Sequence, residues 1–468
     1  MLSFSCLCVL LGLGYWVRRK VVLLQKLFLP ASVIAGLLGL LLFQLAPVPD
    51  EVSAGWSKLP GTLINIVFAC LFLGTALPPL SKVWKSASRQ LAYGQIVAWG
   101  QYAVGCFLVL LLLGPLFGLP DLFAGIMPVG FEGGHGTAGG MGPIFDQLGY
   151  PEMKDYALAA ATGGILGAII VGMGLVNWAV RKGYVEKRSS AFVEATSSSL
   201  AGRGDMSAES DEDVASTIDQ AFAEGIIPVG QRPSAGKLTV SSDVIESLSL
   251  HLVFVGAAIL LGWIMKQGLL QAAQFLPEKG AQILTSFPLF PLCMLGGVIV
   301  QLLADRFDKH EHMSHGLMLR IQNCALDFLV VAAIATIRVD VVAKHWIPLV
   351  VLILGGILWN VFCLTILARR AFKDAWFERG IAEMGQSMGV TATGLLLLRV
   401  VDPDYETEAA EAFAAKQLLH EPFMGGGLWT SAAIPLLALW GGWPILGIAL
   451  GVMAIWAVVL LGMNRRSG

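Results

Sequence analysis

Long apolar runs alternate with short basic loops along most of this 468-residue chain. At ~20 residues per bilayer crossing, the pattern predicts helices near 2–16, 27–47, 59–80, 91–117 and 155–180. A second set follows near 245–266, 283–304, 316–337, 345–368 and 411–440, and a last helix near 442–463. Two stretches interrupt the apolar pattern, GFEGGHGTAGGMG at 130–142 and AEMGQSMGVTATG at 382–394. Each carries an acid, then x-Gly and an imidazole or amide: Glu132-x-Gly134-His135 and Glu383-x-Gly385-Gln386. Glycine weakens helix and unpaired backbone cannot face hydrocarbon. At membrane depth these segments must therefore line a cavity or pack against protein.

The basic residues set an orientation. Arg18, Arg19, Lys20 and Lys26, then Lys82, Lys85 and Arg89, then Arg181, Lys182, Lys187 and Arg188 fall on the cytoplasmic side if residues 118–154 leave and return from outside. In the second half Arg306, Lys309, Arg320, Arg369, Arg370, Lys373, Arg465 and Arg466 fall inside if residues 374–410 enter and leave from the cytoplasm. This leaves Lys58, Lys154, Lys266, Lys279, Arg338 and Lys344 outside, six of 31 basic residues. The expected topology has the N-terminus outside and the C-terminus cytoplasmic in a plasma membrane, such as a bacterial inner membrane. The hairpins, about 121–148 and 374–400, have arms of ~10 residues, which at 1.5 Å each reach ~15 Å, about half the hydrocarbon core. Opposed half-spanning hairpins whose tips meet near the midplane are the pointer to a secondary transporter built from inverted repeats.

The order of elements supports a duplication. TLINIVFACLFLGTAL at 62–77 resembles LRIQNCALDFLVVAAI at 319–334, with Asn65 opposite Asn323. The expected fold is all-α and polytopic: an N-terminal repeat at 1–182, a Ser-rich, charged cytoplasmic linker at 183–243 with a short amphipathic turn near 214–225, an inverted repeat at 244–440, and an additional helix and tail at 441–468. Asp243-x-x-Glu246 before an apolar run reads as a capping box. A hydrophobic fraction of 56% fits a polytopic membrane protein. A net charge of −2 gives no support for nucleic-acid binding. The seven cysteines lie in apolar runs without paired CxxC spacing, as packing residues do. The basic residues after Trp16 mark 2–16 as a retained first helix rather than a cleaved signal.

At the two glycine-rich stretches, and in hydropathy over roughly residues 1–440, the chain resembles the sodium:glutamate symporter family, the bacterial glutamate permeases. The resemblance rests on GGHGT at 133–137 and the mirrored run Gly385 to Thr393. It implies sodium-coupled symport of glutamate or another acidic amino acid, two inverted five-helix repeats each with a re-entrant hairpin, and a homodimer in which a transport domain moves against a scaffold. It implies no enzyme activity and no cofactor beyond sodium as coupling ion. The chain departs from the family pattern at Glu132, where a small polar residue is usual, at Glu383, and in its linker and last helix.

The residue chemistry agrees with a carrier site. A half-helix starting at the midplane exposes unpaired N–H groups and a partial positive charge to a carboxylate. Gly133, Gly134, His135, Gly136 and Thr137, with Gly385, Gln386, Ser387, Gly389, Thr391 and Thr393, form the expected substrate region; the competing reading of the glycines is close packing of the hairpins. Glu132 and Glu383 are expensive at membrane depth and are candidates for proton coupling, sodium ligation or an ammonium group. Asn323 and Asp327, one turn apart on a helix, with Asn65 mirrored, offer oxygen ligands for sodium or, alternatively, an interhelical hydrogen bond. His420-Glu421-Pro422 is a further polar break, lining the cavity or kinking its helix. Coupling to a proton, or another carboxylate as substrate, is the alternative. A remoter one is an intramembrane serine hydrolase, because Gly385-Gln386-Ser387-Met388-Gly389 matches GxSxG although the strand which that motif needs is absent. His310, His312 and His315 fall in a charged loop without a zinc-site framework.

Overall fold

The structure is a computed structural model that describes residues 2–27, 29–45, 49–75, 80–185, 227, 232, 234–402 and 406–466. Among the described residues all regular structure is helical, with no strand. The first half contains α1 (Leu2–Lys20), α2 (Ala31–Leu45), α3 (Asp50–Cys70), α4 (Leu80–Leu108, continued to Phe117), α5 (Asp121–Phe131), α6 (Gly134–Gly140), α7 (Gly142–Gln147) and α8 (Met153–Arg181). The second contains α9 (Ser247–Ala273), α10 (Phe290–Phe307), α11 (His315–Ala335), α12 (Trp346–Ala371), α13 (Trp376–Val401), α14 (Ala409–His420), α15 (Leu428–Trp440) and α16 (Gly442–Arg466). Nine described helices are long and apolar enough to cross a bilayer. Outward leucines such as Leu302, Leu354 and Leu358 are exposed, as a lipid-facing surface requires.

The eleven predicted spans need correction. Within the span drawn at 27–47, the described helix covers Ala31–Leu45, α2. The one drawn at 59–80 begins nine residues earlier, because Asp50 and Glu51 suit the positive end of a helix and Pro49 precedes them. The one drawn at 411–440 is two helices, broken over residues 421–427. Pro422 lacks an N–H and clashes with the preceding turn, and Gly425, Gly426 and Gly427 favour non-helical backbone. At α9 the cap is Glu246 itself, whose carboxylate accepts from the Ser249 amide at 3.0 Å, so the capping box drawn from Asp243 is shifted by three residues. The amphipathic turn expected at 214–225 lies outside the described residues.

Small residues let elements from the two halves touch. α2 packs on both α1 and α11, and α3 packs on α10 and α11. A Cβ at Gly36 would lie 2.6 Å from Ile334 Cβ, and one at Gly297 2.4 Å from the Ala69 carbonyl oxygen. Such contacts allow the van der Waals packing that holds helices together in lipid. α4 and α12, fourth in their respective sets, both pass through a π-turn, Val109–Leu113 and Cys363–Leu367. The appended α16 packs along α4.

Both glycine-rich stretches break the helix, each within the residues predicted to interrupt it. The first breaks at 132–134, where Gly134 adopts φ +63°, and helix resumes at once. In the second, helix runs through Gly385 and Gln386 and turns at Gly389 and Val390, with Val390 at φ 62°. The chain then folds back on itself. A Cβ on Gly385 would lie 2.7 Å from Gly394 Cα, and one on Gly394 2.5 Å from the Ala382 carbonyl oxygen.

Candidate functional site

The two breaks touch. A Cβ on Gly134 would sit 2.5 Å from Val390 Cγ1, so only glycine lets the first turn approach the second. The third break joins them: a Cβ on Gly426, at φ +90°, would collide with the Thr137 hydroxyl. Beside this junction lies a cavity of about 330 Å³, at the small end of the range of about 300–1,000 Å³ for ligand pockets. Glu132, His135, Thr137, Asp327, Thr391 and Glu421 supply polar groups to it, while Val33, Ile64, Val67, Phe68, Leu326 and Val330 form apolar wall.

Behind the cavity runs a buried polar network. Glu132 Oε2 accepts from Gln386 Nε2 at 2.8 Å and from His420 Nε2 at 3.1 Å. The tautomer of His420 follows from its neighbours. The Trp99 indole N–H donates to Gln95 Oε1 at 3.0 Å, which turns the Gln95 amide nitrogen toward His420 Nδ1, 3.2 Å away. An imidazole that accepts at Nδ1 and donates at Nε2 is neutral. The other oxygen of Glu132, Oε1, is buried without a hydrogen-bond partner among the described residues.

Glu383 is paired instead. Lys416 Nζ donates to Glu383 Oε1 at 2.7 Å, to Gln417 Oε1 at 2.9 Å and to Gln386 Oε1 at 3.2 Å. Gln90 Nε2 donates to Glu383 Oε2 at 3.0 Å. Glu383 and Lys416 are both fully buried. Thr391 closes the network toward the cavity, accepting from the Gln417 amide and donating to Glu421 Oε1 at 3.2 Å.

The structure therefore sorts the residues singled out from sequence. Glu132, Gly133, Gly134, His135, Gly136, Thr137, Asp327 and Thr391 line one cavity, and Gln386 reaches it through Glu132. His135 donates from Nε2 to the Thr162 hydroxyl at 3.0 Å, since that hydroxyl's own proton goes to the Leu158 carbonyl. Gly385 packs the arms of α13 together, and Thr393 bonds back to the Gly389 carbonyl of its own break. Ser387 is fully buried and is not among the cavity's lining residues, its carbonyl held by Gln101 Nε2 at 2.6 Å. Asn65 donates to the Gly61 and Thr62 carbonyls of its own helix, and Asn323 is exposed on α11. Asp327 borders the cavity without Asn323 beside it.

Sequence reasoning missed Lys416, Gln90, Gln95, Gln101 and Gln417. Their signal was a lysine and four amides in or beside the runs read as membrane helices near 91–117 and 411–440, where polar side chains need partners. No described cluster of three or more His, Cys, Asp or Glu residues is disposed to hold a metal ion.

Comparison with known proteins agrees with the resemblance. No curated protein and no solved structure matches the chain. Residues 1–220 match the family described as Sodium/glutamate symporter, which takes in α1 to α8 and both Glu132 and His135. Over that part of its length this multi-pass membrane protein is similar to the sodium/glutamate symporters, a family of sodium-coupled transporters and not of enzymes.

Proposed function

We propose that the protein is a secondary active transporter that carries glutamate or a related acidic amino acid together with sodium, in the cavity where the helix breaks meet. The observation that carries this reading is electrostatic. The cavity presents Glu132, Asp327 and Glu421, and no lysine or arginine is among its described lining residues. A carboxylate solute entering such a site meets only like charge unless cations enter with it. Entry of the solute then depends on entry of the ion.

In this proposal the substrate ammonium and sodium lie against Glu132 Oε1, Glu421 and Asp327. The substrate carboxylates lie against the break at Val390 and Thr391, where the returning arm of α13 begins with amides that have no partner within the helix. His135 and Thr137 complete the polar wall. The two breaks face the same cavity from different halves of the chain, as they do in carriers made of inverted repeats. A homodimer, and an N-terminus outside, complete the proposal.

The test is uptake in proteoliposomes loaded with purified protein, under imposed sodium or proton gradients, with a panel of labelled amino and dicarboxylic acids. An inward sodium gradient is expected to concentrate labelled glutamate or aspartate. Uptake driven equally by a proton gradient in sodium-free buffer, or confined to amino acids without a side-chain carboxylate, would overturn the proposal.

A further inference from the structure

The cation-coupled reading leaves one buried cation unexplained. Lys416 Nζ sits at the focus of three side-chain oxygens, Glu383 Oε1, Gln417 Oε1 and Gln386 Oε1, at 2.7, 2.9 and 3.2 Å. An ammonium has three donors and no acceptor, so each proton has one oxygen. The ring of Phe413 lies 5.7 Å from Nζ. Glycine at 94 makes room for the pair, since a Cβ there would lie 2.5 Å from Glu383 Oε1 and 2.6 Å from Lys416 Cε. Nothing of this assembly is exposed: Glu383 and Lys416 are fully buried and Gln386 nearly so. It is an oxygen cage for a monovalent cation, already filled by a cation tethered to α14.

We propose that Lys416 is a resident cation occupying a built-in monovalent-cation site formed by Glu383, Gln386 and Gln417, and that the vacated cage takes a sodium ion. The cage is one residue away from the proposed transport site. Gln386 gives its carbonyl oxygen to Lys416 and its amide hydrogen to Glu132, so the cage cation fixes the orientation of the amide that holds Glu132. A tethered charge there makes the arrangement permanent, and lowers by one the number of dissolved ions the protein must capture. The alternative, a pair that only joins α13 to α14, demands complementary charge but gives the vacated site no ion specificity.

The experiment compares Lys416→Ala, which opens the cage, with Lys416→Met, which fills it without charge. Each full-length variant is purified, and its thermal unfolding is followed in sodium chloride and in choline chloride, without substrate. Lys416→Ala is expected to gain a sodium-dependent rise in unfolding temperature larger than that of the unmodified protein, saturable as for ligand binding to the folded state. Ethylammonium, a small primary ammonium, should substitute for sodium. Lys416→Met should show no such gain, and Glu383→Gln with Lys416→Ala should abolish it, because the cage has then lost its carboxylate. In proteoliposomes, sodium activation of glutamate uptake by Lys416→Ala should rise in order by one ion.

The inference rests on the cation-coupled reading only for this last measurement. Failure of sodium-driven uptake in the unmodified protein would defeat that reading, and leave the unfolding result to decide the cage. An identical sodium response in Lys416→Ala and the unmodified protein would overturn the proposal. So would failure of Lys416→Ala to fold even in sodium, because an ion able to replace the ammonium preserves the charge balance of the cage.

Discussion

Replacing Gly134 by alanine tests whether contact between the two breaks builds the cavity. Two costs can be worked from the geometry. Gly134 holds φ +63°, where a residue with a Cβ costs about 1–2 kcal/mol. The new methyl would lie 2.5 Å from Val390 Cγ1, an overpacking that costs about 1–3 kcal/mol. Together Gly134→Ala should destabilise the protein by about 2–5 kcal/mol. Val390 carries strain of its own, because φ 62° and ψ 171° belong to a region that is essentially glycine's, at about 1–3 kcal/mol. Val390→Gly should therefore be neutral or stabilising, and the double variant should recover the overpacking part but not the φ part. The assay is a double-mutant cycle of denaturant unfolding, read beside glutamate uptake, with a coupling expected at about 1–3 kcal/mol. Additive effects, with a coupling below about 0.5 kcal/mol, would show that the breaks do not bear on one another. Full uptake by Gly134→Ala would refute the claim that their approach shapes the site.

Glu132→Gln keeps an acceptor for Gln386 and His420 but removes the charge facing the cavity, so half-maximal sodium activation should rise by about tenfold or more, at 1.4 kcal/mol per decade; sodium titration of uptake checks it. Asp327→Asn should raise the sodium requirement in the same assay with little change in unfolding, since Asp327 lies exposed at the rim of the cavity. Thr391→Val removes the donor to Glu421 and the acceptor for Gln417, leaving two polar groups short of a partner at about 1–3 kcal/mol each; substrate affinity measured by competition should fall. Gly94→Ala pushes a methyl between Glu383 and Lys416 and should lower stability by about 1–3 kcal/mol, measured by denaturant unfolding.

The helical class was legible because apolar run length is set by bilayer thickness and needs no tertiary knowledge. The breaks were legible in kind, since glycine clusters with acids cannot form lipid-facing helix, and in position only to within each stretch. Gly385 adopts helical backbone because its missing side chain is needed for contact with Gly394, and the turn falls four residues later. The break at 421–427 was half legible: His420-Glu421-Pro422 drew notice, yet the triple glycine after it sits before an apolar run that reads as continuous helix. Lys416 was invisible as the partner of Glu383, because pairing across 33 residues depends on how α14 lies against the hairpin. Asn323 and Asp327 show the converse limit. Spacing of one turn puts two side chains on one face, but which of them meets a cavity depends on the neighbouring helices, and here only Asp327 does.

The network also bears on why solute and ion would cross together. The network around Glu132 and Glu383 holds three carboxylates, counting Glu421, against one ammonium and a neutral imidazole, so negative charge exceeds positive. Lys416 spends its three protons on Glu383, Gln386 and Gln417, and His420 has only one proton to give Glu132. At Glu132 the negative charge is the least compensated, since Oε1 has no hydrogen-bond partner among the described residues. A buried carboxylate in this condition is costly in lipid, and a cation that enters the cavity relieves it. Once that cation is seated, the repulsion felt by an incoming carboxylate falls. By the reciprocity of linked binding, the solute must then raise affinity for the cation by the same factor. In the proposed carrier, coupling would then follow from an unsatisfied oxygen at the junction of three helix breaks, and would not require the ion and the solute to share ligands.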